Sequence, residues 1–189
     1  MNNSSNRDRK PFQGNRVTRD HVHGKFGPTI PPALTAGRSE TILFETADCF
    51  GGEVTADTPS DEAAEVARTN PVTGPVMIEG AEAGDVLCVY VQDIAVADTG
   101  LSVIRPKVGF LGSEVRKTTL YASTIEGDVV TVNKDFAVPL NPVVGIVGLV
   151  PRHGDIRSEY PGRHGGNLDT LEVTTGSRVF LPVQVPGAL

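Results

Sequence analysis

The alternation of apolar and polar residues along the chain predicts β-strands at six places. Each of these segments is short, places apolar residues at every second position or in a brief run, and is bounded by turn-forming residues. They cover residues 39–46, 75–79, 85–96, 128–133, 143–150 and 178–185. One helix is predicted over residues 61–68, because Ser60 can cap it and Arg68 suits its last turn. Many strands with a single short helix predict an all-β sandwich or barrel.

The strand over residues 85–96 has the strongest pattern, because both of its faces are apolar. One face carries Leu87, Val89 and Val91, and the other carries Val86, Cys88 and Tyr90. We expect a strand that is buried on both sides, or one that lies between a core and an interface. The last ten residues, 180–189, hold no charge. An apolar strand at a chain end invites association through its open edge, so we expect either that it is tucked into the core or that a segment which should follow it is missing.

Composition agrees with many short strands, because Gly (21) and Pro (14) are abundant in the 189 residues. No apolar run approaches the roughly 18 residues that a membrane-spanning helix needs, and the N-terminus lacks the apolar centre of a secretory signal. We therefore expect a cytoplasmic protein with no membrane partner.

Charge is distributed unevenly along the sequence. The first 20 residues hold five basic and two acidic residues without periodicity. We predict that residues 1–20 form a disordered basic arm and that residues 21–189 form one β-sandwich domain. The domain then carries a net charge of −9, against −6 for the whole chain. A body this acidic argues against nucleic acid as a partner.

The densest cluster of chemically useful residues lies in the loop over residues 161–169, whose sequence is P-G-R-H-G-G-N-L-D. His164, Asn167 and Asp169 provide an imidazole, an amide and a carboxylate within six residues. These groups can bind a metal ion, or can polarise and position a small polar substrate. The alternative is a glycine-rich turn in which Asn167 and Asp169 bond only to the local backbone.

Three weaker candidates lie elsewhere. Asp48 follows a predicted strand and precedes paired glycines, and its neighbour Cys49 is a less favoured nucleophile. His21 and His23 share one face of an extended segment and can ligate a metal, although a solvated entry segment is the simpler interpretation. Glu79 closes a short apolar strand and can face a cleft.

Several common motifs are absent from the sequence. There is no phosphate-binding loop, no dinucleotide fingerprint, no G-x-S-x-G elbow and no C-x-x-C pair. These absences argue against nucleotide-driven chemistry and against an α/β serine hydrolase. Cys49 and Cys88 can form a disulfide, but two reduced and mostly buried thiols fit the pattern better.

Six stretches of the chain, taken in order, resemble the acetamidase/formamidase family of amide hydrolases. They are residues 30–35 (I-P-P-A-L-T), 45–52 (E-T-A-D-C-F-G-G), 70–87 (N-P-V-T-G-P-V-M-I-E-G-A-E-A-G-D-V-L), 139–148 (P-L-N-P-V-V-G-I-V-G), 161–169 and 181–189 (L-P-V-Q-V-P-G-A-L). Several motifs in register make the resemblance specific, and it extends from His21 to the C-terminus.

The resemblance implies a jelly-roll-like β-sandwich with one short helix and the hydrolysis of short linear amides to a carboxylate and ammonia. It also implies a divalent metal ion, zinc or calcium, as the cofactor. The site residues that it suggests are Asp169, His164 and Asn167 for catalysis, and Asp48 and His23 as metal ligands. From the residue pattern itself we add Gly165, Gly166 and Glu79 for substrate binding.

The sequence departs from the family pattern in one respect. Members of the family continue past V-P-G-A-L into an acidic, His-containing segment of the form G-D-x-H-x-x-x-G-D-G-E, which this chain lacks. We therefore expect an incomplete site, and two functions stay open. The first is an amidase that is active alone, as a homo-oligomer, or with a complementing C-terminal chain. The second is a non-catalytic truncated or regulatory subunit.

Overall fold

The structure is a computed structural model that describes residues 11–66 and 70–189. Within these residues it contains one helix, α1 at Ser60–Glu65, and sixteen strands. The strands are β1 Asn15–Val17, β2 Val22–His23, β3 Lys25–Phe26, β4 Leu34–Ala36, β5 Ile42–Phe44, β6 Val72–Thr73, β7 Val76–Ile78, β8 Val86–Tyr90, β9 Thr99–Ile104, β10 Thr119–Glu126, β11 Val129–Asn133, β12 Phe136–Pro139, β13 Ile146–Gly148, β14 Ile156–Arg157, β15 Gly165–Asn167 and β16 Arg178–Pro182. The predicted all-β class with one short helix is confirmed. The helix is not long or apolar enough to cross a membrane, and the described residues contain no other.

The chain separates into two compact units, whereas the sequence predicts a single domain. Among the described residues, the first unit holds residues 52–66 and 95–141. The second holds residues 11–51, 70–94 and 142–189. Every predicted site residue belongs to the second unit.

The first unit is built on a four-stranded antiparallel sheet in the order β12-β11-β10-β9. Helix α1 packs against β9 and β10. Ser60 is the first helical residue and not the predicted cap, because Pro59 occupies the N-cap position. The Ser60 hydroxyl instead accepts a hydrogen bond from the backbone N–H of Leu120 at 3.0 Å. Arg68, predicted for the last turn, lies outside the described residues.

The second unit consists of six two-stranded pairs. Two of them are parallel, β1 with β5 and β4 with β7. The antiparallel pairs are β2 with β6, β3 with β14, β8 with β16, and β13 with β15. The core of the unit is formed by the buried residues Ala81, Leu149, Leu181, Val183 and Ala188. The apolar C-terminal residues are therefore partly tucked into the core.

Strand β8 has one buried face and one exposed face, which differs from the expectation of burial on both sides. Leu87 and Val89 pack against the core. Val86 on the opposite face is 64% exposed, and Phe180 on the paired strand β16 is also 64% exposed. The prediction that this face meets an interface stays a prediction. Cys49 and Cys88 are both exposed, so the expectation that they are mostly buried is wrong.

The predicted disordered arm overlaps the ordered part of the chain. Residues 1–10 lie outside the described residues, but Asn15–Val17 form β1 and pair in parallel with Ile42–Phe44. Val17 is buried, and this one apolar side chain among polar neighbours anchors the strand without producing any periodicity in the sequence.

Candidate active site

The loop over residues 161–169 is a small hairpin that leads into β15. The backbones of Gly162 and Gly165 exchange two hydrogen bonds of 2.8 and 3.0 Å, which places Arg163 and His164 at the tip. Strand β15 then pairs with β13. Because both strands belong to the second unit, the candidate residues are held by a ladder next to the core.

Gly165 and Gly166 are required by backbone conformation and by space. Both have a φ in the left-handed region, at 96° and 95°. A Cβ at Gly165 would collide with the Val147 carbonyl oxygen, and a Cβ at Gly166 would collide with the Tyr160 carbonyl oxygen. Both glycines are buried. Packing alone thus accounts for them, and their predicted contact with substrate stays a prediction.

His164 is the largest fully buried side chain of the described residues, with 1% exposure. The edge of its ring packs on Phe26, with ring centroids 5.1 Å apart. Within the described part of the chain, neither ring nitrogen has a hydrogen-bond partner. A neutral imidazole carries one N–H donor and one acceptor, so burial without partners is unfavourable by about 1–3 kcal/mol. Burial also lowers the pKa of His164, because it penalises the charged imidazolium.

Two glycines enclose the His164 ring nitrogens. A Cβ at Gly162 would lie 3.0 Å from Nδ1, and a Cβ at Gly166 would lie 3.1 Å from Nε2. The backbone therefore closes over both ends of the imidazole. In this arrangement the ring supports the hairpin from the inside and does not face a substrate that arrives from solvent.

Asn167 and Asp169 form a polar pair in which Asn167 is half-buried and Asp169 is exposed. With its nitrogen facing the carboxylate, the Asn167 amide donates to both Oδ atoms of Asp169 at 3.1 Å each. Asp169 is exposed and has a φ of 43°, in the left-handed region where Asp is one of the few tolerated residues. Non-glycine residues in this region concentrate at functional sites. The carboxylate is thus oriented by a neighbour and open to a ligand.

The predicted metal ligands His23 and Asp48 lie beside one segment, residues 70–73. His23 pairs with Val72 across β2 and β6, and the Cys49 carbonyl accepts a hydrogen bond from the Asn70 N–H at 3.2 Å. Asp48 Oδ1 accepts a hydrogen bond from the Phe50 N–H at 2.7 Å. No group of three or more His, Cys, Asp or Glu in the described residues is placed to hold a metal ion. A zinc site takes about four ligands and calcium about six to eight, so these two residues do not complete either site.

Glu79 lies in the turn after β7, apart from the hairpin in sequence. Its backbone N–H donates to the Ala36 carbonyl at 2.9 Å, and its side chain is exposed. Its predicted substrate contact stays a prediction.

Phe26 and Gly148 pack against the hairpin from the opposite side, and the sequence predicted neither contact. Phe26 contacts His164, and a Cβ at Gly148 would lie 3.0 Å from Phe26 Cζ and from the His164 carbonyl oxygen. Gly148 does fall in the stretch over residues 139–148 that contributed to the family resemblance. Nothing in the sequence pairs Phe26 with His164, because they are far apart along the chain.

Comparison with known proteins identifies relatives with amidase names. The acetamidase/formamidase family profile matches residues 9–159, a range that ends just before the hairpin. The formamidase of Methylophilus methylotrophus is 25% identical, over 94% of this chain and 57% of that protein. A Schizosaccharomyces pombe relative named for formamidase is 28% identical, over 89% of this chain and 56% of its own length. The chain thus spans less than three fifths of the length of these curated relatives.

Two solved structures share the fold over more than nine tenths of this chain. The acetamidase of Bacillus halodurans superposes with a TM-score of 0.87 and 35% identity, over 92% of this chain and 59% of that one. A predicted acetamidase/formamidase from Thermoanaerobacter tengcongensis has a TM-score of 0.86 and 32% identity, over 93% of this chain and 58% of that one. Profile, sequence and fold agree, and this chain belongs to the acetamidase/formamidase family.

Proposed function

We propose that this chain takes part in the hydrolysis of short linear amides, such as acetamide and formamide, to a carboxylate and ammonia. The observation that carries the proposal is the family profile match over residues 9–159. The likeness to the Bacillus halodurans acetamidase over 92% of the chain supports it. The exposed and oriented carboxylate of Asp169 supplies a group with suitable chemistry.

In the proposed reaction Asp169 acts as the general base. Its carboxylate accepts a proton from a water molecule while the water oxygen bonds to the carbonyl carbon of the amide. The C–N bond then breaks, and the leaving nitrogen takes the proton back from Asp169 and departs as ammonia. Asn167 orients the carboxylate through its amide. Backbone N–H groups or other donors must stabilise the developing oxyanion.

His164 has a supporting role in this proposal. Its ring is buried under Gly162 and Gly166, so it shapes the hairpin that presents Asn167 and Asp169. His23 and Asp48 do not complete a zinc or calcium site, and no step is assigned to a metal ion.

A second candidate function is a subunit that has no activity until further chain completes it. The chain covers 56% to 59% of the length of the relatives described above, so the purified chain is assayed both by itself and with added chain.

The test measures ammonia release from acetamide and formamide by the purified chain. Asp169→Asn keeps the size of the side chain and removes its charge, so the rate should fall by about 10²-fold. The thermal midpoint should stay unchanged, because an exposed loop carboxylate contributes little to stability. Asp135→Asn, a change at an exposed carboxylate in the turn between β11 and β12, is the matched control.

The same assay separates the two candidates. Activity comparable to that of the Bacillus halodurans acetamidase supports an enzyme that works alone. A weak rate that rises when the remaining portion of such a relative is added supports the second candidate. An unchanged rate with lowered stability in Asp169→Asn would reject the catalytic assignment.

A further inference from the structure

Gly145 contacts the Asp169 backbone from the residue just before the neighbouring strand β13. It precedes β13, and its carbonyl accepts hydrogen bonds from the N–H of Leu168 at 2.9 Å and of Asp169 at 3.0 Å. The register of β13 with β15 pairs Ile146 with Asn167, so Gly145 continues the ladder by one step. The backbone of Asp169 is therefore tied down at the point where its φ turns into the left-handed region.

The missing side chain of Gly145 also leaves room for the carboxylate. A Cβ at Gly145 would lie 2.9 Å from Asp169 Oδ1. Chain neighbours aside, this oxygen is the one heavy atom of the described residues that such a Cβ would approach within 4 Å. Among the described residues, this carboxylate oxygen alone therefore fills the space next to Gly145.

Asn167 limits the carboxylate from a second direction. Its amide nitrogen lies 3.1 Å from both Oδ atoms, so the carboxylate is held between an amide donor and the Cα of a glycine. We infer that Gly145 is a positioning residue for Asp169, setting through its carbonyl and its missing Cβ where the carboxylate stands. The inference rests on the proposed function of Asp169 as the general base.

Gly145→Ala is a selective probe of this contact. The φ of Gly145 lies outside the left-handed region, so alanine suits the backbone. The new methyl group meets only the end of a flexible side chain, which must move by about half an ångström to reach ordinary contact. We expect the thermal midpoint to stay within the range of a surface substitution.

Gly37→Ala is the matched control in the same unit. A Cβ at Gly37 would lie 2.9 Å from Glu40 Oε1, which is the same distance from the same kind of atom. Its φ also lies outside the left-handed region. The control therefore displaces a carboxylate equally, at a place with no assigned chemistry.

The first measurement is the NMR resonance of the Asn167 side-chain amide in the isotopically labelled chain. If Gly145 places the carboxylate, Gly145→Ala shifts this resonance and Gly37→Ala leaves it unchanged. An Asn167 resonance that does not respond to Gly145→Ala overturns the inference, whatever the activity of the chain.

The second measurement is the kinetics of acetamide and formamide hydrolysis. A displacement of 1 Å can reduce a rate by about 10²-fold, so we expect Gly145→Ala to lower kcat by about 10-fold with little change in KM. In an Asp169→Asn background the same change should have no further effect, because the group that it displaces no longer acts. Equal kcat losses in both backgrounds would contradict the positioning role.

Failure of the proposed function and failure of the positioning role appear in different measurements. A chain, alone or completed, that hydrolyses neither amide refutes the proposed function and with it the catalytic half of the inference. The NMR shift separately decides whether Gly145 places the carboxylate. Normal kcat in Gly145→Ala, despite a shifted Asn167 resonance, would show that the position of the carboxylate does not control the rate.

Discussion

At the scale of single residues, the burial of His164 makes the stability of the folded chain depend on pH. Burial lowers its pKa in the folded chain, while the unfolded chain has the ordinary value of about 6.5. Between these two values the unfolded state binds more protons than the folded state, so stability rises with pH there. Above the pKa of the unfolded chain, His164 is neutral in both states and its burial carries no charge penalty. Stability is then lost as the pH falls from this pKa towards the lower pKa of the folded chain.

We therefore expect the free energy of unfolding to decrease when the pH is lowered from above to below about 6.5, the ordinary pKa of histidine. The slope that His164 contributes is at most about 1.4 kcal/mol per pH unit. His164→Gln should flatten this dependence, whereas the exposed His153→Gln should preserve it. Urea titrations at several pH values measure the slopes. A slope that survives in His164→Gln would assign the pH dependence to other groups.

At the scale of elements, the β8–β16 pair separates a core face from an exposed face. Leu181 is 5% exposed and its neighbour Phe180 is 64% exposed, although the two are adjacent in one strand. Leu181 also supports the hairpin, because a Cβ at Gly165 would lie 3.1 Å from its Cδ2 atom. The strand thus couples core packing to the position of the candidate site.

Substitution of these two neighbours should have very different effects. Leu181→Ala removes buried methyl groups and leaves a cavity, so we expect a loss of about 2–5 kcal/mol in the free energy of unfolding. Phe180→Ala removes an exposed ring, and the change should be about 0.5 kcal/mol or less. Chemical denaturation compares both variants with the unsubstituted chain. Similar losses in the two variants would mean that the Phe180 face is covered in solution.

At the scale of the whole molecule, the exposed apolar face of β8 and β16 favours association. Val86, Phe180 and Cys88 lie on this face, and Phe180 stands directly opposite Cys88. Exposed apolar sheet faces with open edges invite contact between copies. The sequence predicts the same tendency from the uncharged residues 180–189.

We expect the isolated chain to self-associate, with an apparent mass that rises with concentration in light scattering. Phe180→Lys places a charge in the middle of the face and should reduce association. Glu126→Gln raises the net charge by the same single unit at an exposed residue of the other unit, and it controls for net charge. A chain that stays monomeric across the concentration range would falsify the prediction.

The sequence by itself determined that Leu87 and Val89 share one face of β8 and that Val86, Cys88 and Tyr90 share the other, because side chains alternate across a strand whatever its partner is. The sequence did not determine that only the first face is buried, because burial depends on the packing partners. It also located the glycine-rich hairpin and the residues Asn167 and Asp169, since turn chemistry is local. It did not predict β15, whose sequence is Gly-Gly-Asn and which forms a strand only because β13 pairs with it. Strand β1 was not predicted either, because it forms by pairing with β5.

Only the tertiary structure decided what each candidate side chain can do. The burial of His164 depends on Phe26, and the place of the Asp169 carboxylate depends on Gly145. These partners are distant along the chain, and no periodicity in one segment encodes a contact with another. The β13–β15 ladder brings Gly145 and Asp169 together, and its register depends on backbone hydrogen bonds and close packing between remote segments.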